Sequence, residues 1–370
     1  EEAEAAERAR WAKEVAGLLL EAKLPFARSL ASSGQDTAVA LRCCRGLRAK
    51  TLRQRVSCWR PLRRWLLDAG HPAFPACAQH FLDFLEVKEL EGASRTTAAS
   101  LLTAFRFLEE AGEVPEKDRL SADPALANAA KEAKARLLAQ GKGKARRQAP
   151  PMLLTVLAAL EELVSDEARP LFSRAFAWYR LFRHWSSLRW DDTQTLLPSS
   201  LERRARGVVG TLLSPKTSGP GKTSQVLPVF VSDRAWLRKP WLDEGLVLWL
   251  DGELSFSRDY FLPLPSQCLG KALRRRALYT DSAGFSVALL SSLEDNHGCA
   301  LLPKGGARFW TEHSDRSGLD GWCAALGFGE SDRAFLGRWA ARGSADTYVR
   351  TALRICENLQ LTAARFAREA

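Results

Sequence analysis

Residues 308–348 read RFWTEHSDRSGLDGWCAALGFGESDRAFLGRWAARGSADTY. The stretch places His313 and Arg316 three positions apart and continues to Leu336-Gly337-Arg338-Trp339. It ends on Tyr348, nine positions after Trp339 and thirty-five after His313. These residue types share one use. A guanidinium and an imidazole grip a phosphate, an indole N–H donates to it, and a phenol oxygen attacks its phosphorus. Singly, each has an ordinary explanation: a His-Arg pair on a helix surface, or a core Trp in a chain with 12 of them. Tyr348 resists that explanation, because the chain has four tyrosines and one falls where a nucleophile is needed.

In order and spacing, the stretch resembles the C-terminal catalytic half of the tyrosine recombinases, the phage-integrase type of DNA strand-transfer enzyme. The resemblance asks for an Arg followed by an acid at +3 and Leu at +7. Arg189 meets this with Asp192 and Leu196, whereas Arg180 and Arg183 lack the acid. Two departures bear on the register: Asp192 stands where Glu is commoner, and Ser187 where the family has Gly before Leu-Arg. Asp192 is then expected to hold the Arg189 fork in place. The family's Lys sits in a β-hairpin turn after this Arg. Lys216, in Pro-Lys-Thr-Ser-Gly, is the first candidate, and Lys222 in the same loop is the alternative. Trp339 stands where many members carry His and others Trp.

The resemblance implies a mainly α fold with a small antiparallel β-sheet (α+β), in two domains. One is a helical core-binding, DNA-binding domain and the other a mixed catalytic domain. It also implies roles. Tyr348 attacks the scissile phosphodiester, forming a 3′-phosphotyrosyl link and releasing a 5′-hydroxyl. Arg189 and Arg316 hold the non-bridging oxygens, Trp339 donates its indole N–H, and His313 binds the phosphate and accepts the phenol proton. Lys216 protonates the leaving 5′-oxygen. No metal, nucleotide or other cofactor is required. A type IB topoisomerase-like nicking-closing enzyme uses the same residue set, and a catalytically retired DNA-binding protein of a mobile element would keep the fold. The expected partner is double-stranded DNA, engaged by a homo-oligomer in a tetrameric synapse.

Composition agrees with a polyanionic partner. The 370 residues carry 54 Lys and Arg against 43 Asp and Glu, a net charge of +11, and the pI is near 9.5. Such a surplus attracts nucleic acid without conferring sequence specificity, and an acidic membrane surface is the charge-based alternative. At 46% apolar and 26% charged residues, the composition is that of a folded globular protein, long enough for two domains. No apolar stretch approaches spanning length. The eight Cys include no C-x-x-C and the five His no metal-ligand spacing, so buried reduced thiols in an intracellular protein are expected; the resemblance adds DNA association, in a nucleus if eukaryotic and in the cytoplasm or nucleoid if bacterial. No signal or transit leader is visible. The opening residue, Glu1 rather than Met, suggests a processed chain or part of a longer one.

From the N-terminus, residues 1–34 are expected to form a helical extension, acidic at its start and ended by Ser32-Ser33-Gly34. Residues 35–139 are the expected helical DNA-binding domain. Within it, residues 41–67 contain nine basic residues and no acid: Arg42, Arg45, Arg48, Lys50, Arg53, Arg55, Arg60, Arg63 and Arg64. Leu52, Val56, Trp59, Leu62 and Leu66 recur at helical spacing, so this stretch reads as a helix with one apolar face and a basic remainder. The basic face is either solvated or in contact with phosphate. Helices are also expected over 75–88 and 94–111, the second capped by Ser94.

Residues 140–150 form a basic linker with Lys142, Lys144, Arg146 and Arg147, which either tracks DNA or acts as a nuclear-localisation patch. The catalytic domain is expected over 151–370, with helices at 153–164 and 171–189. A hairpin of 207–213 and 225–231 flanks the lysine loop. Residues 232–303 read as short helices and turns. The last helix, with Leu353, Leu359, Leu361 and Phe366, is expected either to dock into a neighbouring protomer or to pack on its own.

Overall fold

A computed structural model describes residues 2–34, 36–139, 150–212, 227–237, 239–250, 252–295, 297–337 and 349–369. The chain divides into two compact units, Glu1–Arg147 and Gln148–Ala370.

The first unit is helical: α1 (Glu2–Glu21), α2 (Ala27–Ser32), α3 (Thr37–Cys43), α4 (Ala49–Asp68), α5 (Ala78–Leu90), α6 (Thr97–Ala111) and α7 (Pro124–Ala139). The apolar face read from the sequence is the one α4 buries. Leu52, Val56, Trp59, Leu62 and Leu66 are all at most 1% exposed, each stabilising by about 1.5–3 kcal/mol on leaving water. Trp59 packs against Phe74 and Phe105, with ring centroids at 5.2 and 5.5 Å. The helix starts later than the sequence suggests. Arg45 and Gly46 take left-handed conformations (φ 47° and 71°) and divide 41–67 into α3, a turn and α4. Arg42 therefore lies on α3, and Arg45 and Arg48 precede α4. Ser94 likewise closes a turn ahead of α6, which starts at Thr97 with Thr96 as its N-cap. The acidic helix α1 shares this core through Ala12, Val15 and Leu19.

The second unit contains α8 (Leu154–Ser165), α9 (Leu171–Ser186), α10 (Trp190–Thr193), α11 (Trp241–Leu250), α12 (Tyr279–Ser291), α13 (Ser314–Ala325), α14 (Glu330–Gly337) and α15 (Val349–Glu369). Its strands are β1 (Glu202–Arg204), β2 (Gly207–Leu212), β3 (Leu227–Ser232), β4 (Pro263–Pro265) and β5 (Ala272–Arg276). The unit is thus mainly α with small antiparallel sheets.

The helix α9 runs through the core, buried on every side from Ala175 to Ser186, so that Arg180, Arg183 and His184 are buried along with its aromatic and aliphatic residues. Trp178 Nε1 donates to the Leu242 carbonyl at 3.0 Å and Trp249 Nε1 to the Ala175 carbonyl at 3.1 Å, tying α11 to α9. This approach requires Gly245, where a Cβ would sit 2.0 Å from Trp178 Cδ1.

The expected hairpin is present as β2 and β3, paired antiparallel with Val208 opposite Val231, and β1 adds a third strand on the β2 side. Two elements differ from the sequence reading. The α9 helix stops at Ser186 rather than 189, because Ser187 adopts a left-handed conformation (φ 49°). Within 232–303, β4 and β5 form a second hairpin, with Pro263 opposite Arg276. The C-terminal helix α15 packs on β3 of its own unit. Gln360 accepts from the Ser232 N–H at 2.7 Å and donates to the Phe230 carbonyl at 3.0 Å, while Phe366 stays exposed. No helix among the described residues is long and apolar enough to cross a membrane.

Candidate active site

The left-handed turn at Ser187 determines where Arg189 stands. The Ser187 N–H donates to the His184 carbonyl and the Leu188 N–H to the Arg183 carbonyl, both at 3.2 Å. These two bonds close the α9 C-terminus as a Schellman turn. The chain then leaves the core and restarts as α10 with Arg189 at its N-cap. The Arg189 side chain keeps 30% of its exposure and meets Asp192 Oδ2 at 3.7 Å, while Leu196 is fully buried. The Thr193 hydroxyl donates to the Arg189 carbonyl at 3.0 Å and fixes this turn. The guanidinium is thus held on one side by a carboxylate and open to solvent on another.

Arg180 and Arg183 are used differently. Both are at most 1% exposed, and their guanidiniums enter a buried charge cluster with Glu312 and Asp315. Arg180 Nη1 donates to Glu312 Oε1 at 2.8 Å and to Ser286 Oγ at 2.6 Å, and Arg180 Nη2 lies 2.8 Å from Asp315 Oδ1. Arg183 bonds both the Glu312 carboxylate and its backbone carbonyl. The Ser282 and Ser286 hydroxyls, from α12, donate to the same carboxylate.

Burial pushes the Glu312 carboxyl up, but Arg183, Arg180 and the two hydroxyls outweigh it and hold its pKa at about 2. Burial wins for Asp315, pushed up to about 6 although Arg180 and Arg183 oppose it, with the Glu312 charge adding to the rise. Burial and then Arg180 hold His184 at about 3, so its ring is neutral. That ring packs on Gly318, where a Cβ would come 2.5 Å from His184 Cε1.

The cluster matters because of what its acids adjoin. Glu312 immediately precedes His313, and Asp315 immediately precedes Arg316. His313 is the N-cap of α13 with an exposed side chain; its N–H donates to Thr311 Oγ1 at 3.2 Å. Arg316 is half-buried in the first turn, its N–H donating to the His313 carbonyl at 3.2 Å. The α13 N-terminus, with both candidate phosphate ligands, is therefore anchored to the C-terminal half of α9, the helix that delivers Arg189.

No family model matches this sequence, and no curated protein matches it.

Of the residues picked from sequence, Arg189 and Asp192 adjoin each other, as do His313 and Arg316. Lys216, Lys222, Trp339 and Tyr348 lie outside the described residues, as do Lys142, Lys144, Arg146 and Arg147. Sequence reasoning passed over Glu312, Asp315 and the structural use of Arg180 and Arg183. A signal existed: two arginines three apart within the aromatic run of α9, and two acids three apart on either side of His313.

The basic face of α4 is partly neutralised by α1. Arg60 meets Glu14 at 2.8 Å and Arg63 meets Glu21 at 2.5 Å, while Glu4 accepts from the Ala49 N–H at 2.9 Å and caps the α4 N-terminus. Arg45 pairs with Glu110 at 3.3 Å and Arg64 with Asp68 at 3.7 Å. Arg42, Arg48, Lys50 and Arg53 are exposed and Arg55 is half-buried.

Proposed function

We propose that this protein is a metal- and ATP-independent DNA strand-transfer enzyme of the tyrosine-recombinase type, working on duplex DNA as a homo-oligomer. The observation that carries the reading is the different treatment of three neighbouring arginines. Arg180 and Arg183 are spent in the core, whereas Arg189, the one with an acid at +3, emerges half-exposed beside Asp192. The register has separate support. Ser187, which occupies the family's Gly position, takes the left-handed conformation that glycine adopts without steric cost. Lys216 and Lys222 also fall, in sequence, between the paired strands β2 and β3.

In the proposed reaction the Tyr348 oxygen bonds to phosphorus as the P–O5′ bond breaks. The phenol proton passes to His313, and the leaving 5′-oxygen takes its proton from Lys216. Charge growing on the non-bridging oxygens is met by Arg189, Arg316 and the Trp339 N–H. Energy is retained in the phosphotyrosyl link, so a 5′-hydroxyl from another strand reverses the step and completes exchange. The test is covalent trapping on nicked suicide DNA. Wild-type protein is expected to form an adduct mapping to Tyr348, and Tyr348→Phe to bind DNA without forming it. An adduct that persists in the Phe variant, or maps to Tyr260 or Tyr279, refutes the assignment.

A further inference from the structure

Residues 260–280 contain four cations and no acid: Lys271, Arg274, Arg275 and Arg276. All four lie on or next to β5 and are exposed. None forms an ion pair among the described residues, in contrast to Arg45, Arg60, Arg63 and Arg64 of the first unit. Edge strands often carry charge to deter pairing with other chains. A single charge serves that purpose, and it does not account for three successive arginines that form no ion pair among the described residues, although Asp259 and Asp281 bound the stretch in sequence and Arg274 lies over the Phe256 ring at 5.8 Å.

The ribbon is anchored at its base. The Ala277 N–H donates to the Leu262 carbonyl at 3.0 Å, and the Leu262 N–H to Gln194 Oε1 at 3.2 Å, five residues beyond Arg189. The Phe172 N–H donates to the Leu269 carbonyl at 2.8 Å, fixing the turn end to the start of α9. Arg258 supports the preceding loop by donating to the carbonyls of Leu254, Phe256 and Phe261. Beyond β5, the Tyr279 ring makes an edge contact with Trp190, the neighbour of Arg189, at 5.7 Å between centroids.

We propose that the β4–β5 ribbon is a second duplex-DNA contact, in which Lys271, Arg274, Arg275 and Arg276 engage the phosphate backbone flanking the strand held at Arg189. A strand of five residues spans about 17 Å, enough to reach phosphates on more than one nucleotide. A two-stranded ribbon also has the dimensions that the major groove admits. This inference rests on the strand-transfer reading for its partner, and the two are tested separately.

The experiment compares full-length wild type with R274Q/R275Q/R276Q and with R204Q/R206Q/K239Q. The second triple removes equal charge from residues already paired with Glu202, Glu357 and Glu162. Affinity for a duplex of about 30 base pairs is measured by anisotropy across a potassium chloride series, and adduct formation on suicide DNA is scored in parallel. Every phosphate that the protein no longer neutralises lowers the log–log salt slope by about 0.9. The ribbon triple is therefore expected to be shallower by about 2–3, and the control triple by less than one. All six side chains lie on the surface, and unchanged circular dichroism verifies folding. Equal slopes for the two triples, or no duplex binding by wild type, overturn the proposal. So does loss of binding to phosphatidylserine vesicles with the DNA slope intact, which moves the ribbon to a membrane surface. Duplex binding with no adduct removes the strand-transfer reading, while the slope difference still decides the ribbon.

Discussion

Glu312→Gln is expected to loosen the second unit from within while preserving its shape. The carboxylate is buried and accepts from Arg180, Arg183, Ser282 and Ser286. Its pKa is held at about 2 against a reference of 4.5, which at about 1.36 kcal/mol per pH unit is worth roughly 3 kcal/mol. Breaking one side of a buried ion pair costs about 3–5 kcal/mol by mutation, the same range. Because the folded-state pKa is depressed, this stability is fully present above the unfolded value and is lost as pH falls from about 4.5 toward 2. The assay is hydrogen exchange of α9 and α13 peptides at neutral pH, where about 3 kcal/mol corresponds to roughly hundredfold faster opening. A parallel series of thermal melts below pH 5 should show a shallower acid limb for the variant, which has no carboxylate to titrate. Exchange within about threefold of wild type, together with an unchanged acid limb, would refute the clamp.

Ser187→Gly is expected to stabilise by about 1 kcal/mol in urea unfolding, because a left-handed turn costs a non-glycine residue about 1–2 kcal/mol and glycine loses part of that gain through its unfolded-state entropy. Destabilisation would show that the Ser187 side chain contributes packing that outweighs the strain. Lys216→Ala is expected to slow cleavage about 10²–10⁴-fold and to recover on DNA with sulfur in the bridging 5′ position, whereas Arg189→Ala and Arg316→Ala stay slow; rescue of Lys222→Ala instead moves the general acid to Lys222. On α4, Arg53→Gln should lower the salt slope by about 0.9 and Arg60→Gln by less, because Glu14 already neutralises Arg60 at 2.8 Å; equal effects would mean that the α1 acids do not compete with phosphate.

What was legible in the sequence was periodic or punctuated. The α4 face and α8 show as helical periodicity, and the β2–β3 hairpin as two apolar, valine-containing runs on either side of a Gly/Pro/Ser-rich stretch. Arg189 was selected by a single carboxylate three positions on, and the structure puts that carboxylate beside it. The β4–β5 ribbon was not legible, because β4 has three residues and two are prolines, leaving no alternation to read. The α9 terminus was missed because it depends on a left-handed serine, which propensity places poorly. The α1–α4 pairing joins residues about 42–46 positions apart, so a stretch without acids in sequence acquires them from elsewhere in the fold.

That last point bears on how a basic chain is read. A surplus of arginine suggests a polyanionic partner, but an individual arginine is available to one only if no carboxylate reaches it first. Arg183 lies at one extreme. It is fully buried, and burial would depress its pKa, yet Glu312 carries it above its usual value. Its charge is permanently committed to holding α13. Arg60 and Arg63 are intermediate, on the surface but facing acids of α1. Arg189 has a carboxylate at 3.7 Å that orients its fork while 30% of the side chain still faces solvent. Arg274, Arg275 and Arg276 are at the other extreme, exposed and without an ion pair among the described residues. If phosphate binding follows this order, charge removal on β5 should weaken DNA affinity more than the same removal on the α1-facing side of α4. Composition treats paired and unpaired arginines alike, so equal effects of the two removals would make total charge, and a larger effect on β5 tertiary charge pairing, the determinant of where DNA binds.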